Sequence, residues 1–288
     1  MEQDGKLYER ELRVALKLAR EAGAIILEDY SKPIKVERKI NPDDYLEPVT
    51  KTDRAANELI VNGITSSFSD DGILAEESID TERRLTRQRV WMIDPMDGTN
   101  GFITRDGDFA VQIGLAVDGL SVMGVVYQPL PDTLFWATKG RGSWIEYHDG
   151  NTTRARVSEK KDLRLMRLAA SRSHRSPRMD RVVKALEIKE EVNRGSVGVK
   201  VGLIVERQCD FYVHLSPRTK QWDTCAPEAI LNEAGGCLTD LFGHALVYNS
   251  AEVQNRNGIV ASNGVAHDQI IKRLKPLLNE FGRIRVRI

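Results

Sequence analysis

From Phe109 the chain changes its period, and that change limits what it can fold into. Phe109, Val111, Ile113, Leu115 and Val117 occupy alternate positions, with mostly small or polar residues between them. Alternate positions share one face of an extended strand. Asp118-Gly119 then supplies a tight turn, residues 122–127 resume the pattern, and residues 134–137 add another strand. Strand, Asp-Gly, strand is a strong hairpin signal. Upstream the spacing is helical. Tyr8, Leu12, Ala15, Leu16, Ala19, Ala22 and Ile26 keep a three-to-four spacing over 7–30, and Ser31-Lys32-Pro33 stops that helix. Ala56, Leu59, Ile60 and Ile64 do the same over 53–68, while 73–75 and 90–93 are short apolar strands. The first half is expected to pack two helices on an antiparallel sheet. Residues 34–50 show no clear period and contain Pro42, Asp43, Asp44 and Pro48, so they read as a mobile loop.

The second half alternates. Strands are expected at 167–170, 211–213 and 259–261, and helices at 178–186, 226–234 and 266–279. Gly235-Gly236 ends the second of these helices. The pattern shifts near 145–160, at His148-Asp149-Gly150-Asn151, which divides the chain into halves of 1–150 and 151–288. No repeat or low-complexity stretch interrupts either half.

Composition removes some function classes. Lys plus Arg and Asp plus Glu are 42 each, so the formal net charge is zero, which excludes a uniformly basic nucleic-acid coat. The apolar run at 24–27 is far too short to span a membrane, a span needing about 20 residues. Met1-Glu2-Gln3-Asp4 lacks the basic and apolar regions of a signal peptide. Cys209, Cys225 and Cys237 form no Cys-x-x-Cys pair. A cytoplasmic, reduced protein with no membrane or nucleic-acid polymer partner is expected.

The chemistry sits in Trp91-Met92-Ile93-Asp94-Pro95-Met96-Asp97-Gly98-Thr99-Asn100. Two aspartates three residues apart follow a buried strand, and a Gly-Thr step opens a turn of helix. Strand end and turn bring both carboxylates and the Met96 carbonyl to one point, a set of hard oxygens suited to Mg²⁺. The N–H groups of Gly98 and Thr99 would face an anion. A surface turn has the same letters. Three further acids stand in comparable contexts: Glu76, in Glu76-Glu77-Ser78 after a strand, and Asp53 and Asp223, each opening a helix. A lone acid at a helix start is usually a cap.

Taken together, Pro48-Val49-Thr50-x-x-Asp53, Glu76-Glu77-Ser78, Asp94-Pro95-x-Asp97-Gly98-Thr99 and Trp222-Asp223 resemble the inositol monophosphatase superfamily of Mg²⁺-dependent, lithium-sensitive phosphatases. That superfamily includes fructose-1,6-bisphosphatases, inositol polyphosphate 1-phosphatases and 3′(2′),5′-bisphosphate nucleotidases. The resemblance implies an α+β fold, a layered α-β-α-β-α sandwich, with most metal ligands in the first half and Asp223 and the substrate contacts in the second. It implies two or three Mg²⁺ ions. Glu76, Asp94 and the Met96 carbonyl would hold the first, Asp94, Asp97 and Asp223 the second, and Asp53 and Glu76 would border a weaker third. Thr99 would orient the attacking water, helped by Asp53 or Glu76. Related enzymes are often dimers.

The branch is read from other segments. Trp222-Asp223-Thr224-Cys225-Ala226-Pro227-Glu228, followed by Gly235-Gly236-x-Leu238-Thr239-Asp240, is similar to the bisphosphate nucleotidase and inositol polyphosphate 1-phosphatase branch. Ser171-Arg172-Ser173-His174 resembles the nucleotidases, with His174 implied to lie against adenine. The segment from Gly195-Ser196 to Lys200 resembles their phosphate-contacting Ser and Lys, and Arg218 or Lys220 would complete the grip. Gly98, Thr99 and Asn100 would meet the scissile phosphate. Independently, Arg164, Arg167, Arg172, His174, Arg175, Arg178, Arg181 and Lys184 make 164–184 basic, which suits a substrate with two phosphates. Asn100 departs from the lysine common at that position, and 34–50 is longer than the usual loop. The expected substrate is adenosine 3′,5′-bisphosphate, hydrolysed to AMP and phosphate. An inositol monophosphate, inositol polyphosphate or sugar phosphate is the alternative. A silent binding protein using the basic segment is a third reading, and the intact acidic set argues against it.

Overall fold

The alternation after Phe109 builds the middle of a seven-stranded sheet. The computed structural model describes residues 8–40, 46–172 and 176–286. The chain begins with α1 (Glu9–Tyr30), the paired strands β1 (Val36–Ile40) and β2 (Leu46–Thr50), and α2 (Lys51–Ser67). Then come β3 (Gly72–Ala75), β4 (Arg89–Asp97), the short α3 (Thr99–Thr104), β5 (Ala110–Val117), β6 (Leu120–Gln128), β7 (Thr133–Thr138), β8 (Ser143–Glu146) and β9 (Thr152–Arg154). The remainder is β10 (Arg167–Ser171), α4 (Pro177–Ala185), β11 (Glu190–Arg194), α5 (Val197–Val205), β12 (Phe211–His214), α6 (Gln221–Glu233), β13 (Cys237–Thr239), β14 (Ile259–Ser262) and α7 (His267–Glu280).

Strands β3 to β9 lie side by side in chain order. Asp118 at φ 50° and Gly119 at φ 77° make the turn between β5 and β6, as the Asp-Gly pair predicts. The sheet is not wholly antiparallel, however. β3 and β4 run parallel, because residues 76–88, with a 3₁₀ turn at Arg83–Thr86, cross over between them. The second sheet has the order β11-β10-β12-β14-β13 and is mixed.

Three apolar layers hold five structural layers together. Ala15, Ala19, Ala22 and Ile26 of α1 and Ala56, Ile60 and Ile64 of α2 pack on Trp91, Ile93, Ile113 and Val125. The other face of that sheet, with Val126 and Phe135, meets Val199 and Ile204 of α5 and Ile230 and Leu231 of α6. Beyond those helices lie Ala169, Tyr212 and Ala261 of the second sheet. Its far face, with Leu168, Phe211 and Val260, carries Val182 of α4 and Ile270 and Leu274 of α7. The architecture is the expected α-β-α-β-α sandwich.

Two differences from the sequence reading have physical causes. Residues 34–50 contain β1 and β2, paired antiparallel from Val36–Thr50 to Ile40–Leu46, rather than a loop throughout. Glu37-Arg38-Lys39 sets three charged residues in succession in β1 and Pro48 interrupts β2, so neither shows the alternation or the continuous apolar face of a core strand. Helix α5 escaped notice because Val197 to Val205 is buried on every side, so no polar face marks a period.

Helix α6 sits unusually close to its sheet. Gly114 and Gly124 are cross-strand partners on β5 and β6. A Cβ on Gly124 would lie 2.2 Å from the Ala226 carbonyl oxygen, and one on Gly114 2.8 Å from the Ala226 nitrogen. The glycine pair therefore lets helix backbone rest on strand backbone. Gly124→Ala should displace α6 and cost about 1–3 kcal/mol. Thermal unfolding checks this, and an unchanged midpoint would show that α6 is not seated on the glycines.

Candidate active site

Strand β4 ends in the two aspartates. Its register against β5 shifts between Asp94, opposite Gln112, and Asp97, opposite Ala110. The one extra residue, with Pro95 unable to donate, makes a bulge that bends the strand end over. Asp94 is buried and accepts the Met96 N–H at 3.0 Å. Gly98 follows at φ 100°, where a Cβ would lie 2.3 Å from the Asp108 carbonyl oxygen, so only glycine fits.

The other acids arrive from separate elements. The Glu76 N–H bonds the Ile93 carbonyl, which sets the end of β3 beside the end of β4. Asp53, in the first turn of α2, accepts the Thr50 N–H at 2.7 Å and the Thr50 hydroxyl at 2.6 Å. Its other oxygen accepts the Thr99 hydroxyl at 3.1 Å. Asp223, in the first turn of α6, accepts the Lys220 N–H at 2.8 Å. Both helix-start acids therefore cap their helices and face the same region.

Glu76, Asp94, Met96, Asp97, Gly98, Thr99, Asn100, Ser196, Lys200, Arg218, Lys220 and Asp223 all line one cavity of about 550 Å³. Asp53 stands behind Thr99. Sequence reasoning left Asp53 and Glu76 as equal candidates to assist Thr99; the Thr99 hydroxyl meets Asp53, whereas Glu76 bonds Lys39. His174 lies outside the described residues.

Electrostatics mark the acids as a group. Burial, then the charges of Glu76, Asp97 and Asp223, push the Asp94 carboxyl well above the usual range. Burial and the charges of Asp97 and Glu76 do the same to Asp223, with Lys220 in opposition. Asp97 is raised by burial, against hydrogen bonds from Ser196 and the start of α5 and the charge of Lys200. Burial raises Asp53 to about 6. Burial also lowers the Lys200 ammonium to about 8, although Asp97, Asp108 and Asp223 favour its charge.

Among the described residues, no three His, Cys, Asp or Glu side chains converge on one point as they stand. The donor chemistry nevertheless fits Mg²⁺. Four carboxylates and a carbonyl are hard oxygens lining one cavity, and Asp94 and Asp223 are raised by burial and then by neighbouring carboxylates, charge that a cation would offset.

Cationic residues line the same cavity, interleaved with the acids. The Lys200 ammonium donates to the Gly195 carbonyl at 2.9 Å and lies 4.7 Å from the centre of the Tyr212 ring. Lys220 pairs with Glu47 at 3.1 Å. Arg172 borders the cavity between Asp106 at 3.1 Å and Asp108 at 3.0 Å. Among the described residues, the rest of the basic 164–184 segment does not face the acids as a block; Arg175, like His174, lies outside them. Arg164 pairs with Asp162, Arg167 with Glu190 and Arg181 with Glu280, while Arg178 lines a neighbouring recess. Strand β10 and helix α4 turn successive residues in different directions, so a linear run of charge is dispersed.

Several residues in or beside the cavity had no strong sequence signal. Lys39 of β1 bonds Glu76 at 2.8 Å and also Glu77, which ties the β1–β2 pair to the acids. His214 and Tyr212 come from the end of β12. Gln112 is a lone amide in an apolar strand, and that isolation was its only mark.

The inositol monophosphatase family model matches residues 7–278. The chain is 35% identical over 244 residues to the 3′(2′),5′-bisphosphate nucleotidase CysQ of Salmonella typhimurium, covering 84% of this chain and 95% of that one. It is 30% identical over 276 residues to the fructose-1,6-bisphosphatase/inositol-1-monophosphatase of Thermotoga maritima, covering 94% and 98%. Among solved structures, the Thermotoga maritima IMPase superposes with a TM-score of 0.79 at 27% identity, covering 95% of this chain and all of that one. The chain belongs to the inositol monophosphatase family. It is a phosphatase acting on a small-molecule phosphate ester, in a family that is generally Mg²⁺-dependent. No helix among the described residues is long and apolar enough to cross a membrane.

The raised acids make stability depend on pH. A carboxyl whose folded pKa lies above its unfolded value stabilises the fold below the unfolded pKa, and this is lost as pH rises through the folded value. In EDTA, the melting temperature should fall from pH 4 through pH 6, where Asp53 titrates, and on towards pH 7, where buried Glu228 titrates. Lys200, at about 8, does not titrate in that window, and His267, which burial lowers, opposes the fall there as one group against several raised carboxyls. Asp94→Asn should flatten the slope and raise the melting temperature at pH 8. A steeper or unchanged slope would contradict the crowding of charge around Asp94.

Proposed function

We propose that this chain hydrolyses the 3′-phosphate of adenosine 3′,5′-bisphosphate, giving AMP and phosphate, with two or three Mg²⁺ ions. The observation that carries the reading is one cavity lined both by a set of acids (Glu76, Asp94, Asp97, Asp223) and by a set of cations (Lys200, Arg172, Arg218, Lys220). A substrate with two anionic groups suits such a cavity. One group would lie among cations gathered by the acids, and the other would meet the protein's own cations. The 35% identity to a bisphosphate nucleotidase supports the same substrate class.

Glu76, Asp94, Asp97, Asp223 and the Met96 carbonyl would hold the Mg²⁺. When bound, Mg²⁺ lowers the pKa of water and offsets charge on a leaving oxygen. The chain's own residues place the water. Thr99 Oγ1 donates to Asp53, so its lone pairs are left to accept a hydrogen bond from a water in the cavity. Asp53, at about 6, is ionised enough at neutral pH to draw on that hydroxyl proton. Gly98 and Thr99 face the same cavity and would meet the scissile phosphate.

The relative named fructose-1,6-bisphosphatase/inositol-1-monophosphatase favours a second reading, a sugar or inositol phosphate. A panel of adenosine 3′,5′-bisphosphate, inositol 1-phosphate and fructose 1,6-bisphosphate, scored by phosphate release with Mg²⁺, separates the two. The nucleotide should give much the highest kcat/KM, and the reverse order would establish the second reading. Thr99→Val should lower kcat by about 10²-fold or more with little change in KM or melting temperature. Near-normal kcat would remove Thr99 from the water-placing role.

A further inference from the structure

Four donors converge on a single oxygen of Asp97. Its Oδ2 accepts the Ser196 hydroxyl at 2.6 Å, the Val197 N–H at 2.5 Å, the Gly198 N–H at 3.0 Å and the Gln112 side-chain amide at 2.6 Å. Three of these come from the start of α5, the ordinary place for a carboxylate. The fourth crosses from the middle of the seven-stranded sheet.

Gln112 is 0% exposed and sits directly opposite Asp94 on the neighbouring strand. Its Nε2 reaches Asp97, and its Oε1 is buried with no hydrogen-bond partner. An ionised carboxylate only accepts, so the amide nitrogen must face Asp97 and the oxygen must face away. It then points at α5, where a Cβ on Gly198 would lie 3.0 Å from it. A buried, half-satisfied amide costs stability. Its strand neighbours Val111 and Ile113 are apolar, and a methionine would fill the same slot without an orphaned oxygen. Its side chain makes no hydrogen bond within the sheet, and its one bond goes to the proposed ion site.

We infer that Gln112 is a positioning residue: its amide and the first turn of α5 grip Asp97 Oδ2 from two sides, fixing the carboxylate so that Oδ1 is presented to a divalent cation. Ligand carboxylates are commonly held this way, and loss of such a partner lowers metal affinity by about 10- to 100-fold. The inference rests on reading Asp97 as an ion ligand.

The test is titration of EDTA-stripped protein with Mn²⁺, followed by electron paramagnetic resonance of the free ion, on wild type and Gln112→Met. Thermal unfolding of the stripped proteins runs in parallel. The expected result is Mn²⁺ binding weakened about 10- to 100-fold at one site, with a stripped melting temperature equal to or above wild type. The Mg²⁺ concentration for half-maximal activity should rise more than KM for substrate. If Gln112→Met fails to fold, Gln112→Ala, which only removes atoms, takes its place. Unchanged Mn²⁺ affinity in a folded variant overturns the role of Gln112. Failure of wild type to take up Mn²⁺ overturns instead the reading of Asp97 as a ligand.

Discussion

Like charges held close together at low dielectric repel, and this molecule sets four carboxylates around one cavity. Everything around them answers that repulsion. Asp53 and Asp223 sit in the first turns of α2 and α6, and Asp97 lies against the first turn of α5. Each helix thus points its electropositive end at the cluster. The helices do not restore the usual range: burial first, and the neighbouring carboxylates after it, keep Asp94 and Asp223 displaced upward.

Convergence of three helix starts requires the two sheets to be fixed relative to each other. Helices α5 and α6 do this by lying between them and sharing one apolar layer with both. Asp223 reaches the end of β4 because α6 rests directly on Gly114 and Gly124. Burial of α5 on all sides likewise holds its first turn where Asp97 can meet it. The site is consequently a property of the packing between the halves.

The acids were legible because each combines a residue type with a local context that short-range rules recognise: a strand end for Asp94 and Glu76, a helix start for Asp53 and Asp223. The two readings of the helix-start acids turned out not to compete, since one oxygen of Asp53 caps the helix and the other takes the Thr99 hydroxyl. The cationic residues were harder to read. The Lys200 ammonium is drawn to Asp97, Asp108 and Asp223 only after three elements have packed. Basic residues at 164–184 look like one patch along the chain, yet Arg164, Arg167 and Arg181 each find a nearby acid on the folded surface. Lys39 was missed for the complementary reason, because β1 and β2 draw on charged partners and carry little apolar pattern. Gln112 shows the limit: its meaning lies in a neighbour 15 positions away in sequence.

The β1–β2 pair is fastened differently from the rest of the molecule. Its links to the cleft run through ions: Lys39 to Glu76 and Glu77, Glu47 to Lys220, and Glu37 to Arg54. The helices and sheets beneath are joined by apolar contact. Dissolved salt screens exposed charge over about 8 Å at physiological ionic strength and buried pairs much less. Ionic strength therefore acts on the outer edge of the pair, where Glu37 and Arg54 are half exposed, and leaves the largely buried Lys39–Glu77 and Lys220–Glu47 pairs beside the acids in place.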